Sequence, residues 1–425
     1  MENEDKNYGL YLKFILRLSN NKLKNFSYKE HKGNKKFEFF INEEMYLVLT
    51  KDNNFIQVQN QSEVKTNKGE KLLFEIKKDG NSYKLFNPIP GKDYPSLLPI
   101  SENIEILDNH LWWYVLNSED ENIIYKENDD YYLNENDIIK MADIIYIVKK
   151  INISSKSYEN LNISNPKYDI QRINKKANNV FEYKVSEYQK CKFYDGYKVK
   201  LCKCENQLIE TKCIKKMFSS QNNKLEDKGK KYNIELIKCP ICQTYFPIQI
   251  TINSKKIDLY EIKIDEKWKN EDYIELERFQ KCIYYIKLGQ GKIEIGKDFM
   301  EGNDIKEKSE LISKHHAVIS NKNGKILIRN NEGALGTLIL IKDNYLPITE
   351  NKIQFQIGKV FIQACMIKKS DLIQKKDYSI PNREQYQKNK EIKEKKEKEE
   401  KEENSSKNSN QDEDSYFDQC KNDSW

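Results

Sequence analysis

Arginine, histidine and long apolar runs are scarce in this chain. Only five of its 73 basic residues are arginine, and only four histidines occur among its 425 residues. Arginine is the side chain best suited to reading bases and phosphates, so its scarcity argues against nucleic-acid binding despite the net charge of +6. The few histidines form no metalloprotease, kinase or nucleophile-elbow motif. We therefore expect no enzyme of those classes.

The chain also lacks the patterns of exported and membrane-spanning proteins. No apolar run approaches the ~20 residues that span a bilayer, and the first residues, MENEDKNYGL, lack the basic-then-apolar pattern of a signal peptide. Six of the nine cysteines fall between Cys191 and Cys242 and none precedes them, whereas a disulfide-stapled secreted protein spreads its cysteines differently. We expect an intracellular protein, cytoplasmic or cytoskeletal, with no membrane partner.

Short β-type runs separated by polar turns dominate the sequence. They indicate a sandwich or barrel rather than a helical fold, and Asp79-Gly80 predicts a hairpin between two of them. In the tail, EIKEKKEKEEKEE places Glu and Lys three and four residues apart, which predicts an exposed charged helix or disorder. The sequence predicts a mainly β chain divided into a β-rich N-terminal domain (8–150), a linker (151–185), a cysteine-rich module (186–255), a β-sandwich (260–370) and a charged tail (371–425).

The cysteine-rich module has the spacing of a metal site. Cys202 and Cys204 are separated by one residue, and Cys239 and Cys242, separated by two, follow about 35 residues later. Two close pairs of this kind supply the four thiolates that a tetrahedral zinc takes at about 2.3 Å. The paired spacing favours this interpretation over four buried reduced cysteines. We therefore predict a zinc cofactor at these four residues.

The stretch CKC…IETKCIKKMF…LIKCPICQTYFPIQI resembles the second part of a RING-CH zinc finger. That family has four ligand pairs, C-x-x-C, C-x-C, H-x-x-C and C-x-x-C, of which the second and fourth hold one zinc. The resemblance implies that Cys202, Cys204, Cys239 and Cys242 form this site. Because RING-type fingers dock a ubiquitin-conjugating enzyme, it also implies such an enzyme as an alternative partner.

The other zinc site of such a finger is damaged in this sequence. In the third pair, H-x-x-C, the cysteine is Cys213, but Glu210 occupies the histidine position. Of the first pair only Cys191 is present. Glutamate can ligate zinc, so a weak site of Cys191, Glu210 and Cys213 is one hypothesis and an empty site is the other. Met217 stands where the family has a tryptophan. These departures favour a structural zinc knuckle over a working ligase.

Three short motifs follow in a β-rich background, namely I-G-K at 295–297, S-K-H-H at 313–316 and G-T at 336–337. In this order they resemble the motifs of forkhead-associated (FHA) domains, over about residues 260–370. The resemblance implies an antiparallel β-sandwich whose loops at one end bind phosphothreonine peptides.

Carried onto this sequence, the FHA resemblance places Lys297, Ser313 and Lys314 against the phosphate, while His316 braces the loops. Two cations and a hydroxyl around a dianion give charge-assisted hydrogen bonds. The resemblance thus implies a protein partner that contains phosphothreonine.

Two departures weaken that implication. Gly333 and Leu335 stand where complete phosphothreonine readers have serine and asparagine, and lysines replace arginines, which loses bidentate geometry. Binding that needs the phosphate and binding that does not are both open hypotheses.

The N-terminal domain ends in YYLNENDIIKMADIIYIV, which resembles the L-x-x-G-D-x-I-x-x-G closing hairpin of FHA domains. Asn136 and Ala142 occupy the positions of its glycines. A degenerate second FHA-like sandwich and another small β fold are the two hypotheses for residues 8–150.

Together these features predict a zinc-binding adaptor or scaffold whose FHA domain docks a protein partner. The alternative is a RING-CH ubiquitin ligase that the FHA domain targets to phosphorylated substrates. A RING-CH finger followed by an FHA domain resembles an architecture frequent in ciliates, which adds a ciliary scaffold to the expected roles.

Overall fold

The computed structural model describes most of the chain. The described residues are 8–16, 35–65, 69–80, 82–88, 111–116, 131–153, 188–190, 196–202, 204, 208–220, 224–226, 231–253, 255–260, 271–279, 281–288, 291–297, 302–322, 324–331, 336–350, 352–358, 360–372, 379–396 and 398–400. None of their helices is long and apolar enough to cross a membrane.

Ten strands lie in the first 152 residues. They are β1 (Tyr8–Leu16), β2 (Lys35–Ile41), β3 (Met45–Leu49), β4 (Phe55–Val58), β5 (Lys71–Asp79), β6 (Ser82–Phe86), β7 (Trp112–Leu116), β8 (Tyr131–Tyr132), β9 (Ile138–Met141) and β10 (Ile144–Asn152).

The cysteine-rich module contributes seven short strands and one helix. They are β11 (Tyr188–Lys190), β12 (Tyr197–Val199), β13 (Ile209–Glu210), α1 (Thr211–Ser220), β14 (Lys224–Glu226), β15 (Lys231–Glu235), β16 (Gln249–Ile252) and β17 (Lys255–Asp258).

Ten further strands and a tail helix complete the described chain. They are β18 (Tyr273–Arg278), β19 (Cys282–Lys287), β20 (Lys292–Lys297), β21 (Ile305–Glu307), β22 (Ala317–Lys322), β23 (Lys325–Asn330), β24 (Thr337–Leu340), β25 (Tyr345–Ile348), β26 (Ile353–Ile357), β27 (Val360–Lys368) and the helix α2 (383–396 and 398–400). The predicted fold class, a mainly β chain with a helical tail, is confirmed.

The strands form one twelve-stranded sheet, two five-stranded sheets and, within the cysteine-rich module, a three-stranded sheet (β11-β12-β13) and a two-stranded sheet (β16-β17). The twelve-stranded sheet has the order β14-β15-β19-β18-β10-β9-β24-β7-β26-β27-β1-β2, and the five-stranded sheets have the orders β25-β6-β5-β3-β4 and β8-β23-β22-β20-β21. Counted outward from the β24–β7 junction, the first five strands on each side have the same order, and β15 and β14 of the cysteine-rich module extend one side. The two short sheets also share one strand order, although β21 is parallel to β20 whereas β4 is antiparallel to β3. The chain is therefore built from two units of the same strand order.

Each unit contains strands from both halves of the chain. The first unit comprises β1–β7 together with β25–β27, and the second comprises β18–β24 together with β8–β10. In the first unit β1 pairs antiparallel with β27, which places Tyr11 opposite Cys365. In the second unit β10 pairs with β18, which places Tyr146 opposite Arg278. The last three strands of the units are thus exchanged within one chain.

Aromatic packing shows how completely the exchanged strands enter the cores. In the first unit, Phe14 on β1 and Phe74 on β5 are stacked across the two sheets, with ring centroids 6.4 Å apart. Trp112 on β7 lies 6.1 Å from Phe74 and 5.6 Å from Phe355 on the exchanged strand β26. All four rings are fully buried or nearly so. The exchanged hairpin therefore fills the sandwich interior, where burial of large side chains contributes most to stability.

Local turn chemistry agrees with these elements. The hairpin predicted at Asp79-Gly80 is confirmed, since Gly80 has φ +59° between β5 and β6. Asn136 and Ala142 flank β9 with φ values of +70° and +55°, a backbone conformation that favours glycine. These are the two positions where the sequence pattern of the hairpin expects glycine.

A buried ion pair fastens the exchanged hairpin to the second unit. The ammonium of Lys342, just after β24, lies 3.0 Å from Oδ1 of Asp137, just before β9, and both side chains are almost fully buried. The other carboxylate oxygen of Asp137 accepts a hydrogen bond of 2.8 Å from the backbone N–H of Asn134. The pair therefore links residues that are 205 positions apart.

Asp137→Ala is expected to lower the free energy of unfolding by about 3–5 kcal/mol, because it leaves the Lys342 ammonium buried without its carboxylate. The double variant Asp137→Ala/Lys342→Met is expected to recover a large part of the loss, since no buried charge remains. Urea denaturation of the three proteins measures both effects. A loss below about 1 kcal/mol for Asp137→Ala would mean that the buried pair is not formed.

The cysteine-rich module is joined to the second unit by continuous backbone pairing. β15 pairs antiparallel with β19, which places Tyr232 opposite Tyr285. One hydrophobic cluster includes Phe218 and Phe246 of the module together with Tyr285 of the second unit. The module thus extends the twelve-stranded sheet beyond β19. The domain limits predicted from the sequence remain a prediction.

Candidate functional site

The loops at one end of the second unit hold the residues of the three predicted motifs. Gly296 is the penultimate residue of β20, where the loop before β22 crosses this strand, and a Cβ at this position would overlap the carbonyl oxygen of Lys314. The backbone N–H of Lys297 donates to the carbonyl oxygens of Ser313 and Lys314 at 3.2 and 3.3 Å. Glycine is therefore required for the close approach that brings Lys297 beside Ser313 and Lys314.

The side chain of Asn303 links the end of β20 to the loop before β22. Its Nδ2 donates to the carbonyl oxygens of Lys297 at 3.0 Å and of Lys314 at 2.8 Å, and the residue is almost fully buried. A buried amide that satisfies two backbone carbonyls holds the two loops in one arrangement. No sequence motif marked Asn303, since an isolated asparagine in a loop carries no spacing signal.

His316 joins these loops to the strand that follows at the same end. Its Nδ1 accepts from the backbone N–H of Ser313 at 3.3 Å, so the proton lies on Nε2, which donates to the carbonyl oxygen of Gly336 at 3.1 Å. Gly336 has φ +69°, and next to it the Thr337 hydroxyl donates to the buried side-chain oxygen of Asn330 at 3.0 Å. Three motifs that are distant in sequence thus meet at one end of the sandwich, here named the second-unit loop end (296–297, 313–316 and 336–337).

Burial decides the charge of the second-unit loop end. Desolvation lowers the pKa of His316 to about 4, so its imidazole is neutral at physiological pH. Lys297 is half-buried and Lys314 is exposed. Ser313 is half-buried beside them. The positive charge of these motifs therefore comes from the two lysines, while His316 holds the backbone; Gly333 and Leu335 lie outside the described residues.

The second candidate site is the cysteine cluster of the module. The Sγ atoms of Cys202, Cys204, Cys239 and Cys242 all lie within 4.8 Å of one another, and those of Cys204 and Cys239 are 3.8 Å apart. Thiolates at about 2.3 Å from a tetrahedral zinc are themselves about 3.8 Å apart. The spacing therefore fits a tetrahedral metal ion, and these four cysteines could hold one.

A tight turn sets the position of the second cysteine pair. The N–H of Gln243 donates to the carbonyl oxygen of Cys239 at 2.9 Å, and the N–H of Cys239 donates to that of Thr244 at 2.8 Å. Gln243 closes the turn with φ +59°. These two backbone hydrogen bonds hold the turn that places Cys239 and Cys242 beside the first pair.

The thiols of this cluster disfavour simultaneous ionisation. Partial burial and hydrogen bonds with the other three thiols raise the pKa of Cys204 to about 12, and burial likewise raises the pKa of Cys202. Four thiolates at this separation repel one another unless a cation lies between them. The donor set is therefore chemically suited to a divalent metal that displaces the thiol protons.

The predicted second zinc site is less complete in the structure. The thiol of Cys213 lies 3.8 Å from Oε2 of Glu210, and the exposed side chain of Cys213 belongs to no metal-sized cluster among the described residues. Cys191 lies outside the described residues, so the weak-site and empty-site hypotheses both stay predictions. Met217 is 39% exposed on α1. The ubiquitin-conjugating enzyme also stays a prediction as a partner.

Comparison with known proteins agrees with the C-terminal motifs. No curated protein and no solved structure matches the chain. Residues 293–362 match the family model described as the FHA domain. That range contains the whole second-unit loop end, and it continues into β25 and β26 and the start of β27, which the fold gives to the first unit. Residues 293–362 thus carry the sequence of an FHA domain.

Proposed function

We propose that this chain is an adaptor that docks a phosphothreonine-containing protein at the second-unit loop end. The observation that carries the proposal is the fastening of Lys297, Ser313 and Lys314 by Gly296, Asn303 and His316. Protein loops that are held in place before binding lose little conformational entropy on binding, which favours recognition of a small charged group. The lysine ammonium groups and the serine hydroxyl offer charge-assisted hydrogen bonds to a phosphate.

Titration of the full chain with a phosphothreonine peptide and its unphosphorylated form tests the proposal. We expect binding of the phosphorylated form no tighter than about 1 μM, because lysines make single rather than bidentate contacts. Lys314→Ala is expected to weaken it roughly tenfold or more, since a hydrogen bond to a charged group contributes about 1.5–3 kcal/mol. Lys322→Ala removes an equal charge at the far end of β22 and is expected to change nothing.

Two results would contradict the phosphate-dependent proposal. Equal affinity for the phosphorylated and unphosphorylated peptides would mean that the loops dock protein without phosphate. Equal weakening by Lys314→Ala and Lys322→Ala would mean that only the overall charge of the domain matters.

We further propose that the cysteine cluster binds zinc as a structural site of a RING-CH-like module. The tetrahedral spacing of the four Sγ atoms supports the metal, and the all-cysteine donor set favours zinc. The role we assign is to hold the module against the second unit, because Cys202 and Cys239 are part of the hydrophobic cluster that includes Tyr285.

A further inference from the structure

The loop end of the first unit corresponds in position to the second-unit loop end. β3 and β5 are neighbours in one short sheet as β20 and β22 are in the other. The loops that follow β3 and precede β5 therefore match those that carry Lys297 and Lys314. They carry Asp52, Glu63 and Glu70, here named the acidic loop end. The same loops also carry Lys51, Lys65 and Lys68, so the name refers to the three carboxylates alone.

A segment of the same chain occupies the acidic loop end. Both guanidinium Nη atoms of Arg383 donate to the carboxylate of Glu70, Nη2 at 2.8 Å to Oε2, and Nη2 also donates to the carbonyl oxygen of Glu63 at 2.6 Å. Glu70 accepts a further hydrogen bond of 2.7 Å from the backbone N–H of Lys65. Its side chain is 10% exposed. A bidentate pair around a fixed, mostly buried carboxylate is the geometry in which arginine binds most specifically.

Two further contacts follow along the same face of α2. The hydroxyl of Tyr386 donates to Oδ2 of Asp52 at 2.9 Å, and the ammonium of Lys390 lies 2.8 Å from the same oxygen. Positions 383, 386 and 390 lie three and four residues apart, so a single helix face presents all three side chains. The Lys390 pair is exposed and contributes little, whereas Arg383 supplies the anchor.

Hydrogen bonds at the N-terminus of α2 fix the start of this helix. Asn382 and Gln385 form reciprocal hydrogen bonds between side chain and backbone, at 2.9 and 3.0 Å, which define a capping box. The N–H of Gln57 on the edge strand β4 donates to the carbonyl oxygen of Pro381 at 3.2 Å. Beyond this point, a cavity of about 530 Å³ lies between α2 and the strands that carry Phe37 and Phe55.

We propose that the acidic loop end of the first unit is a recognition site for a basic helical segment, and that residues 379–396 of this chain are its resident ligand. Recognition requires an arginine that forks onto Glu70, with a tyrosine and a lysine one and two turns later against Asp52. The contacts of Arg383, Lys390 and the Tyr386 hydroxyl are polar and lie on loops. Ile380 is buried in the main core and the Tyr386 ring packs against the hydrophobic cluster that contains Val48, so a peptide supplied in trans needs both residues. The segment binds as a ligand in cis and is displaceable by the same sequence supplied in trans.

A labelled synthetic peptide of residues 379–396, titrated against the full chain, tests the proposal. Arg383→Glu in the chain releases its own segment, so this variant is expected to bind the wild-type peptide at least about tenfold more tightly than the wild-type chain does. Glu70→Lys removes the receiving carboxylate and is expected to bind neither segment. Lys395→Glu makes the same charge change on an exposed position of α2 and is expected to behave as the wild type.

Hydrogen exchange of the full chain supplies a second measurement that does not depend on the peptide. Exchange in 383–396 is expected to rise in Glu70→Lys and to return toward wild type in Glu70→Lys/Arg383→Glu, where the ion pair is reversed. Protection of β1 and β27 in every variant shows that the fold is intact. Failure of the Arg383→Glu chain to bind the peptide, or no change in exchange with Glu70→Lys, would overturn the proposal.

Discussion

Cys239→Ser is expected to abolish metal binding by the full chain and to unfold the cysteine-rich module. The wild-type protein should carry one tightly bound zinc per chain, and the variant should carry less than about a tenth of that. Metal binding supplies about 10–16 kcal/mol of folding free energy in small zinc modules, and both Cys202 and Cys239 are part of the apolar cluster of this module. Cys239 is buried within that cluster, so the loss of one ligand removes both the metal and its packing.

Metal analysis of purified protein and hydrogen exchange of the full chain measure the two effects together. Amides of 196–253 should lose protection in Cys239→Ser, while those of β1 and β27 keep it. Cys213→Ser is the matched control, since that thiol is exposed and lies outside the cluster; it should retain the zinc. Two tightly bound zinc ions per chain, or none, would show that our assignment of the ligands is wrong.

Tyr11→Cys is expected to form a disulfide with Cys365 and to join the two ends of the chain covalently. The two residues face each other across the β1–β27 ladder, where opposite Cα atoms are about 4.5–5.5 Å apart. That distance lies within the range of disulfides. If a protease site is inserted between residues 153 and 188, the cleaved, oxidised variant should run as one band on a denaturing gel and as two after reduction.

The double variant Tyr11→Cys/Cys365→Ser controls for links to other cysteines and should give two bands in both conditions. Without any disulfide, the cleaved wild-type halves should still co-elute under native conditions, because each unit contains strands of both. Halves that separate in native buffer would falsify the exchange and mean that each half closes its own sandwich.

Local patterns predicted the hairpins, the motifs and the cysteine cluster well. The Asp79-Gly80 turn, the I-G-K motif at 295–297 and the set of four close cysteines all depend on neighbours within a few residues or on chemically distinctive side chains. The close approach that requires Gly296 was seen only in the structure. The exchange of strands could not be predicted in this way. Apolar runs indicate that β10 and β27 are buried strands, and five consecutive residues of each are buried. Both hairpins fit either unit, however, and only long-range packing decides between them.

The contact between the tail helix and the acidic loop end could not be predicted from the sequence for a different reason. A tail so rich in Glu and Lys has the sequence of a solvated segment, and the expectation of an exposed charged helix or disorder was incomplete. Ile380 is buried in the main core, and Tyr386 packs against the cluster of Val48, Ile56 and Val58. One arginine among many lysines was the available signal, since the chain has only five.

Because of the strand exchange, the first unit is completed only late in synthesis. The first seven strands have been synthesised when Leu116 is added, yet the strands that complete their sandwich end at Lys368, about 250 residues later. At 5–20 residues per second, a nascent chain waits roughly 10–50 s with β1 and β7 lacking their final neighbours. Exposed edges of this kind invite pairing with other chains. Translation that stops anywhere before β27 therefore leaves an incomplete first unit, and we expect such truncated products to be clients of chaperones.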